Sequence, residues 1–325
     1  MLRFRRQYGR LIAEQASTAF RGTSAKGKGI VDELTVRVGA ATDTGPVREQ
    51  NEDAVLISEP DPQLLETNGL LLAVADGMGG YQRGEVASRI AVETLREIYY
   101  GSPIGENEIP DRLKSAFRTA NERIFEDGSA EGQQNMMGTT LVAAVVKDND
   151  LTLANVGDSR GYLIRANHAN QVTQDHSLVA EQVAAGAMTA DEARESQHRN
   201  IITRALGHRN RVDVDIFEIR LLADDRLVLT SDGLHDYVSD EDLAKIPASK
   251  SADDAARELI SMAIENQTND NISVLVASFT EAGVDAEAVA ADAEPVERSS
   301  MLVPVLVLIG LMIFIALVVV ILQMG

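Results

Sequence analysis

Four aspartates stand where apolar runs stop or start. Asp76 and Gly77 follow LLLAVA, Asp158 follows LANVG, Asp232 and Gly233 follow LVLTS, and Asp270 precedes NISVLVAS. A fifth acidic group, Glu52 and Asp53 with Arg48 just upstream, opens the apolar run at 54–57. A single Asp-Gly after a strand is ordinary turn chemistry. The set carries more, because paired strands bring their ends together and these carboxylates can converge on one rim. Clustered carboxylates repel unless a cation neutralises them or their pKa values rise. Hard cations such as Mg²⁺ and Mn²⁺ take oxygen ligands. The pattern therefore points to a two-metal hydrolytic site, with ions about 3.5–4 Å apart bridging a water that attacks in line. Arg48 supplies a guanidinium fork suited to a phosphate, the rival reading being an ion pair with Glu49 or Glu52.

Composition narrows the alternatives. The 325-residue chain has no cysteine, which excludes disulfides, thiolate metal sites and cysteine nucleophiles, and points to a reducing compartment. Its five histidines, at 168, 176, 198, 208 and 235, show no i, i+4 pairing and read as surface or core residues. The net charge is −20, although the first 29 residues carry seven basic side chains against Glu14 alone. So acidic a body disfavours nucleic acid as a partner.

The elements that must position these residues are legible as periodicity. Apolar runs of strand length recur at 34–41, 70–75, 140–146, 151–156, 161–165, 226–230 and 272–279. Helical spacing appears around 83–100, 112–126, 177–185 and 252–265. Strands come in neighbouring pairs with turn signals between them, as at 147–150, and helices come in blocks. The expectation is an α+β fold: two packed antiparallel β-sheets flanked by helices, over residues 31–280.

The ends of the chain read differently. Residues 302–322 are 21 almost wholly apolar positions, enough to cross a hydrocarbon core of about 30 Å. They predict a transmembrane anchor over 301–323, reached through an acidic flexible linker at 281–300. Basic residues all lie on the N-terminal side of that span, which predicts a catalytic domain facing the cytoplasm. Residues 1–30 form a basic arm, readable as a membrane-surface helix, a transit peptide or a disordered tail. Within it, 22–28 imitates a phosphate-binding loop but is followed by Gly29 where Ser or Thr must reach magnesium, and no strand precedes it.

The ordered series REQNED (48–53), ADGMGG (75–80), GEVAS (84–88), GTT (138–140), VGDSRGY (156–162), TQDHS (173–177), SDGL (231–234) and DNIS (270–273) resembles the metal-dependent protein phosphatase family, the type 2C group, and most of all its bacterial branch. The resemblance spans about residues 34–280 and implies a sandwich of two antiparallel sheets flanked by helices. It implies that Asp76 bridges two metals, that Gly77 gives a backbone carbonyl to the second, and that Asp232 and Asp270 bind the first. Asp158 matches the ligand of a third, weaker metal that Asp232 shares. Arg48 matches the phosphate-binding arginine, and Glu52 and Asp53 match acids that orient metal-bound waters. Residues 175–200 correspond to a flap beside the site. Met78 stands where animal members carry a histidine proposed to protonate the leaving group, and Tyr81 where bacterial relatives often have histidine, so a metal-bound water is the default acid.

The resemblance further implies a Mn²⁺- or Mg²⁺-dependent phosphatase acting on phosphoserine and phosphothreonine proteins, a Ser/Thr kinase at the membrane among them. A pseudophosphatase that binds phosphoproteins without turnover is the alternative of a different class. A metal-dependent hydrolase for another phosphoester is a third, disfavoured by the lack of a basic stripe.

Overall fold

The structure is a computed structural model, and it describes residues 34–79, 83–101, 108–130 and 137–281. In chain order the first elements are β1 (Leu34–Asp43), β2 (Asp53–Ile57), α1 (Pro62–Asn68), β3 (Leu70–Met78), α2 (Arg83–Gly101) and α3 (Ile109–Ala130). There follow β4 (Gly138–Thr139), β5 (Leu141–Lys147), β6 (Asp150–Val156), β7 (Arg160–Arg165) and β8 (His168–Gln171). The last third holds α4 (Leu178–Ala184), α5 (Ala190–Glu195), β9 (Asp215–Arg220), β10 (Arg226–Thr230), α6 (Asp232–His235), α7 (Asp240–Ser249), α8 (Ala252–Glu265) and β11 (Ile272–Glu281).

These strands form two antiparallel sheets, ordered β1-β11-β10-β7-β8 and β2-β3-β5-β6-β9, with β4 extending the β3 pairing. Leu72, Val74, Val142, Ala144, Leu229, Leu275 and Phe279 fill the space between the sheets. Alternate residues of the second sheet, among them Leu71, Ala73 and Val145, pack instead on Leu95 and Phe117 of α2 and α3. Val228, Val274 and Val276 of the first sheet do the same against Ala256 and Leu259 of α8. Because β3 and β5 are covered on both faces, they read as continuous apolar runs rather than alternating ones. The expected two-sheet, helix-flanked sandwich is the observed architecture.

The differences are local. Strand β8 (HANQ) is polar and largely exposed, and β9 (DIFEIR) is only half-buried, so neither shows as an apolar run. Helix α7 carries Pro247 within it and reads as broken. Two of the supposed Asp-Gly turns are not turns. Asp76 and Gly77 lie inside β3, where Gly77 pairs with Thr139, and Asp232 starts the single-turn helix α6 after Ser231. The two-residue turn after Lys147 is as expected, with Asp148 at φ 53° and Lys147 paired with Asp150.

No helix among the described residues is long and apolar enough to cross a membrane. The basic arm at 1–30, the linker at 281–300 beyond Glu281, and the apolar segment at 301–323 lie outside the described residues.

Candidate metal centre at the strand rim

The sandwich delivers its acids to one end. Asp53 begins β2 and is the register partner of Asp76 in β3, so two carboxylates from neighbouring strands lie side by side. Asp270 sits just before β11, Asp232 just after β10, and β10 pairs with β11. Asp158 stands between β6 and β7, on a turn where Gly157 adopts φ 112°, a conformation that favours glycine.

The segments that carry these acids are tied together through long-range hydrogen bonds. Ser231 Oγ donates to Asp53 Oδ2 at 2.8 Å, and Ser231 Oγ accepts the Ser273 amide at 3.0 Å. Asn271 Oδ1 accepts the Glu52 amide, while its Nδ2 donates to the carbonyls of Thr44 and Gln50 at 2.9 and 2.8 Å. That single side chain fastens the Arg48-bearing loop to the start of β11. Ser88 of α2 donates to the Glu52 carbonyl at 2.6 Å. Thr140 Oγ1 accepts the Asp76 amide at 3.0 Å and pairs with Ser159 Oγ at 2.6 Å.

Packing at the rim leaves no room for side chains at three positions. A Cβ added to Gly77 would lie 2.1 Å from the Gly84 carbonyl, and one on Gly84 2.7 Å from the Glu52 carboxyl carbon. A Cβ on Gly233 would lie 2.0 Å from the Asn271 carbonyl oxygen. Glycine is required there by close approach, not by turn geometry.

The electrostatics are those of an uncompensated acidic cluster. Burial, compounded by the charges of Asp53, Asp232, Asp158 and Asp270, holds Asp76 well above the usual carboxylate range. Burial lifts Asp53 to about 7 against hydrogen bonds from Ser273 and Ser231. Burial, with Asp232 and Asp175 nearby, lifts Asp158 to about 8. Burial also raises Asp232, against the opposing influence of His235, and Glu52, against that of Arg48. The Asp232 and Asp76 carboxyls lie within hydrogen-bonding reach of each other.

Three carboxylate oxygens of the rim, Asp53 Oδ1, Asp158 Oδ1 and Asp232 Oδ1, are buried with no hydrogen-bond partner. Orphaned buried oxygens on mutually repelling acids fit a divalent cation, which supplies the missing positive charge to oxygen donors. Among the described residues, no three Asp, Glu, His or Cys side chains form a ready-made set of ligands around one point. The aspartates are electrostatic neighbours rather than a closed cage, so waters and backbone carbonyls must complete each coordination sphere, as is usual for Mg²⁺.

Asp270 differs from the rest. Its Oδ2 accepts from Arg48 Nη2 at 2.7 Å and its Oδ1 from the Asn271 amide at 2.8 Å. Arg48 thus pairs with Asp270, not with Glu49 or Glu52, and places its guanidinium at the mouth of the cluster with 47% of its side chain exposed.

A family model described as protein phosphatase 2C matches residues 48–279. The chain belongs to the protein phosphatase 2C family. Its phosphatase 2C domain is 36% identical over 250 residues to the serine/threonine phosphatase stp of Listeria monocytogenes serovar 1/2a, covering 75% of this chain and 97% of the relative. It is 36% identical over 249 residues to the serine/threonine protein phosphatase PstP of Mycobacterium tuberculosis, covering 76% of this chain and 46% of that protein. The crystal structure of the catalytic domain of PstP in complex with two manganese ions matches with a TM-score of 0.66 at 36% identity, over 76% of this chain and all of that one. Stp1 of Staphylococcus aureus matches with a TM-score of 0.69 at 32% identity, over 78% and 99% of the two chains.

Around this phosphatase 2C centre lie residues that sequence patterning passes over. Ser231, Asn271 and Ser273 sit inside the family motifs, yet nothing local shows that their side chains bind partners far away in sequence. His235, an ordinary histidine by its sequence surroundings, is buried and places Nε2 at 3.1 Å from the Asp158 carbonyl oxygen. Arg160 grips Asp175 through Nε and Nη2 at 2.7–3.0 Å, fixing the start of the 175–200 segment beside Asp158. Tyr81 lies outside the described residues.

Proposed function

We propose that this chain is a metal-dependent protein serine/threonine phosphatase whose strand rim holds two divalent cations, Mn²⁺ or Mg²⁺, and a third more weakly. The supporting observation is the trio of buried, unpartnered carboxylate oxygens on Asp53, Asp158 and Asp232 beside Asp76. Asp76, Asp232 and Asp270, with the Gly77 carbonyl, hold the two principal ions. Asp158 and Asp232 hold the third, and Glu52 and Asp53 orient coordinated waters. Bound divalent cations lower the pKa of water and offset phosphate charge. The protein's own part is positioning. Arg48, already aimed at the cluster, takes two phosphate oxygens through its planar fork and exchanges its bond to Asp270 for one to substrate. Water then displaces the seryl or threonyl oxygen from phosphorus directly, without a phosphoenzyme.

Phosphate release from a phosphothreonine peptide, with Mn²⁺ and then with EDTA, tests this reading. Equal rates in both would defeat it. A catalytically weak, phosphoprotein-binding role is disfavoured because every matched ligand position carries its carboxylate.

The segment 301–323 supports a further element of the proposal: a single-pass anchor holding the domain at the cytoplasmic face of a membrane, where phosphorylated proteins, a Ser/Thr kinase included, are its substrates. Deleting 301–325 should move the protein from the membrane fraction to the soluble one. An unchanged distribution would remove the anchor from the proposal.

A further inference from the structure

We propose that His176 is a positioning residue for Asp158: by clasping Gly157 it sets where the Asp158 carboxylate stands toward a bound cation. The proposal rests on the reading above, in which Asp158 is a ligand of the third, weaker ion.

The direction of that carboxylate comes from the backbone beneath it, since its Oδ1 is buried without a hydrogen-bond partner. The backbone is held at three consecutive residues. The His176 amide donates to the Gly157 carbonyl at 3.0 Å, and His176 Nδ1 accepts the Gly157 amide at 3.0 Å. His235 Nε2 lies 3.1 Å from the Asp158 carbonyl oxygen. Ser159 Oγ pairs with Thr140 Oγ1 at 2.6 Å. The first of these holds the most adaptable point of the turn. Gly157 stands at φ 112° with Thr140 packed against it, so that an added Cβ would lie 2.5 Å from Thr140 Cβ. Glycine has no side chain to hold it in that conformation, and a partner must do so. Its carbonyl has a second donor, Asn155 Nδ2 at 3.2 Å, whereas its amide goes to the imidazole.

The acceptor role of Nδ1 decides the tautomer. Its lone pair faces the Gly157 amide, so the ring is neutral and Nε2 carries the proton. Nε2 lies 3.1 Å from Asp215 Oδ2, which accepts that proton's hydrogen bond. Asp215 opens β9, and its Oδ1 accepts from Arg204 Nη1 at 2.8 Å. The histidine is 5% exposed, and burial lowers its pKa against the pull of Asp215, in keeping with a neutral ring.

The same residue joins the two roots of the 175–200 segment. The His176 carbonyl accepts the Thr203 amide at 2.8 Å, and the Leu178 amide donates to the Ile201 carbonyl at 2.8 Å. Arg204, Asp215, His176 and Gly157 therefore form one run of hydrogen bonds from the far root of that segment to the turn that carries Asp158. Packing alone would accept any flat ring at 176. This arrangement needs an acceptor on one edge and a donor on the other.

The test uses the full chain with Mn²⁺ alone as the probe. His176→Phe keeps a ring but removes the acceptor, whereas His176→Asn puts a side-chain oxygen where Nδ1 stood. In calorimetric titration, affinity at the weaker site should fall about 10- to 100-fold in His176→Phe, with the two tighter ions and all sites of His176→Asn within about twofold of the parent. A weaker site unchanged in His176→Phe, or lost equally in His176→Asn, would overturn the proposal. With Asp158→Asn already in place, adding His176→Phe should leave the remaining Mn²⁺ affinities where they were; a further loss would mark a general structural role and overturn it too. In the metal-free parent, ¹⁵N NMR should find the His176 proton on Nε2, and a proton on Nδ1 would contradict the clasp. A parent that takes up two ions and no third would instead overturn the three-ion reading, and this proposal with it.

Discussion

At the scale of single residues, the rim is a set of acids whose charges oppose folding until something neutralises them. Asp232→Asn removes one of those charges along with a buried oxygen that has no protein partner. We expect it to raise Tm in EDTA, reduce the Tm gain given by Mn²⁺, and cut turnover by about 100-fold or more, as its proposed role as a metal ligand requires. Thermal melts with and without Mn²⁺ check both signs in one experiment. On the proposed reading, Arg48→Ala acts on substrate instead. Losing a charge-assisted bidentate contact of about 1.5–3 kcal/mol should lower kcat/KM by about 10- to 100-fold and leave Tm nearly unchanged, because its exposed pair with Asp270 contributes little to stability. The aspartates are visible in the sequence because each interrupts an apolar run. His235 is not, since its place is set by what packs against it from distant parts of the chain.

At the scale of elements, the site depends on three junctions: the 44–52 loop on β11, α6 on β11, and the β3–β4 pair. Asn271 holds the first with three hydrogen bonds. Asn271→Ala should cost about 2–3 kcal/mol in denaturant unfolding and raise KM for phosphopeptide, because it frees the loop that carries Arg48. An unchanged KM would show that the loop is held by other means. The strand runs of the inner layers are legible because burial on both faces makes them continuous. The polar edge strands β8 and β9 and the Pro-bearing α7 are not, since their places are set by tertiary pairing rather than by their own composition. The same holds for Asp76–Gly77 and Asp232–Gly233, where the dipeptide spells a turn but the partner strand and the close approach of neighbouring backbone decide otherwise.

At the scale of the whole molecule, the raised carboxylates make stability depend on pH in a definite direction. A carboxyl whose pKa is higher folded than unfolded binds its proton more tightly in the native state. Its contribution is therefore full at acid pH and is lost as pH rises through the folded values, about 7 for Asp53 and about 8 for Asp158. In EDTA, Tm should fall across that window, and the gain in Tm from saturating Mn²⁺ should widen over the same range; a gain that narrows with rising pH would contradict the cluster. The topology has a mechanical consequence of its own. The first and last strands of the domain lie against each other along their full length, from Leu34 beside Glu281 to Asp43 beside Ile272 at the rim. Tension applied between the two ends would load this seam at its Leu34–Glu281 edge and open it like a zip, one rung at a time, toward the acidic rim. A pulling experiment should find a low-force first step that releases β1 and silences the enzyme while the second sheet is still intact.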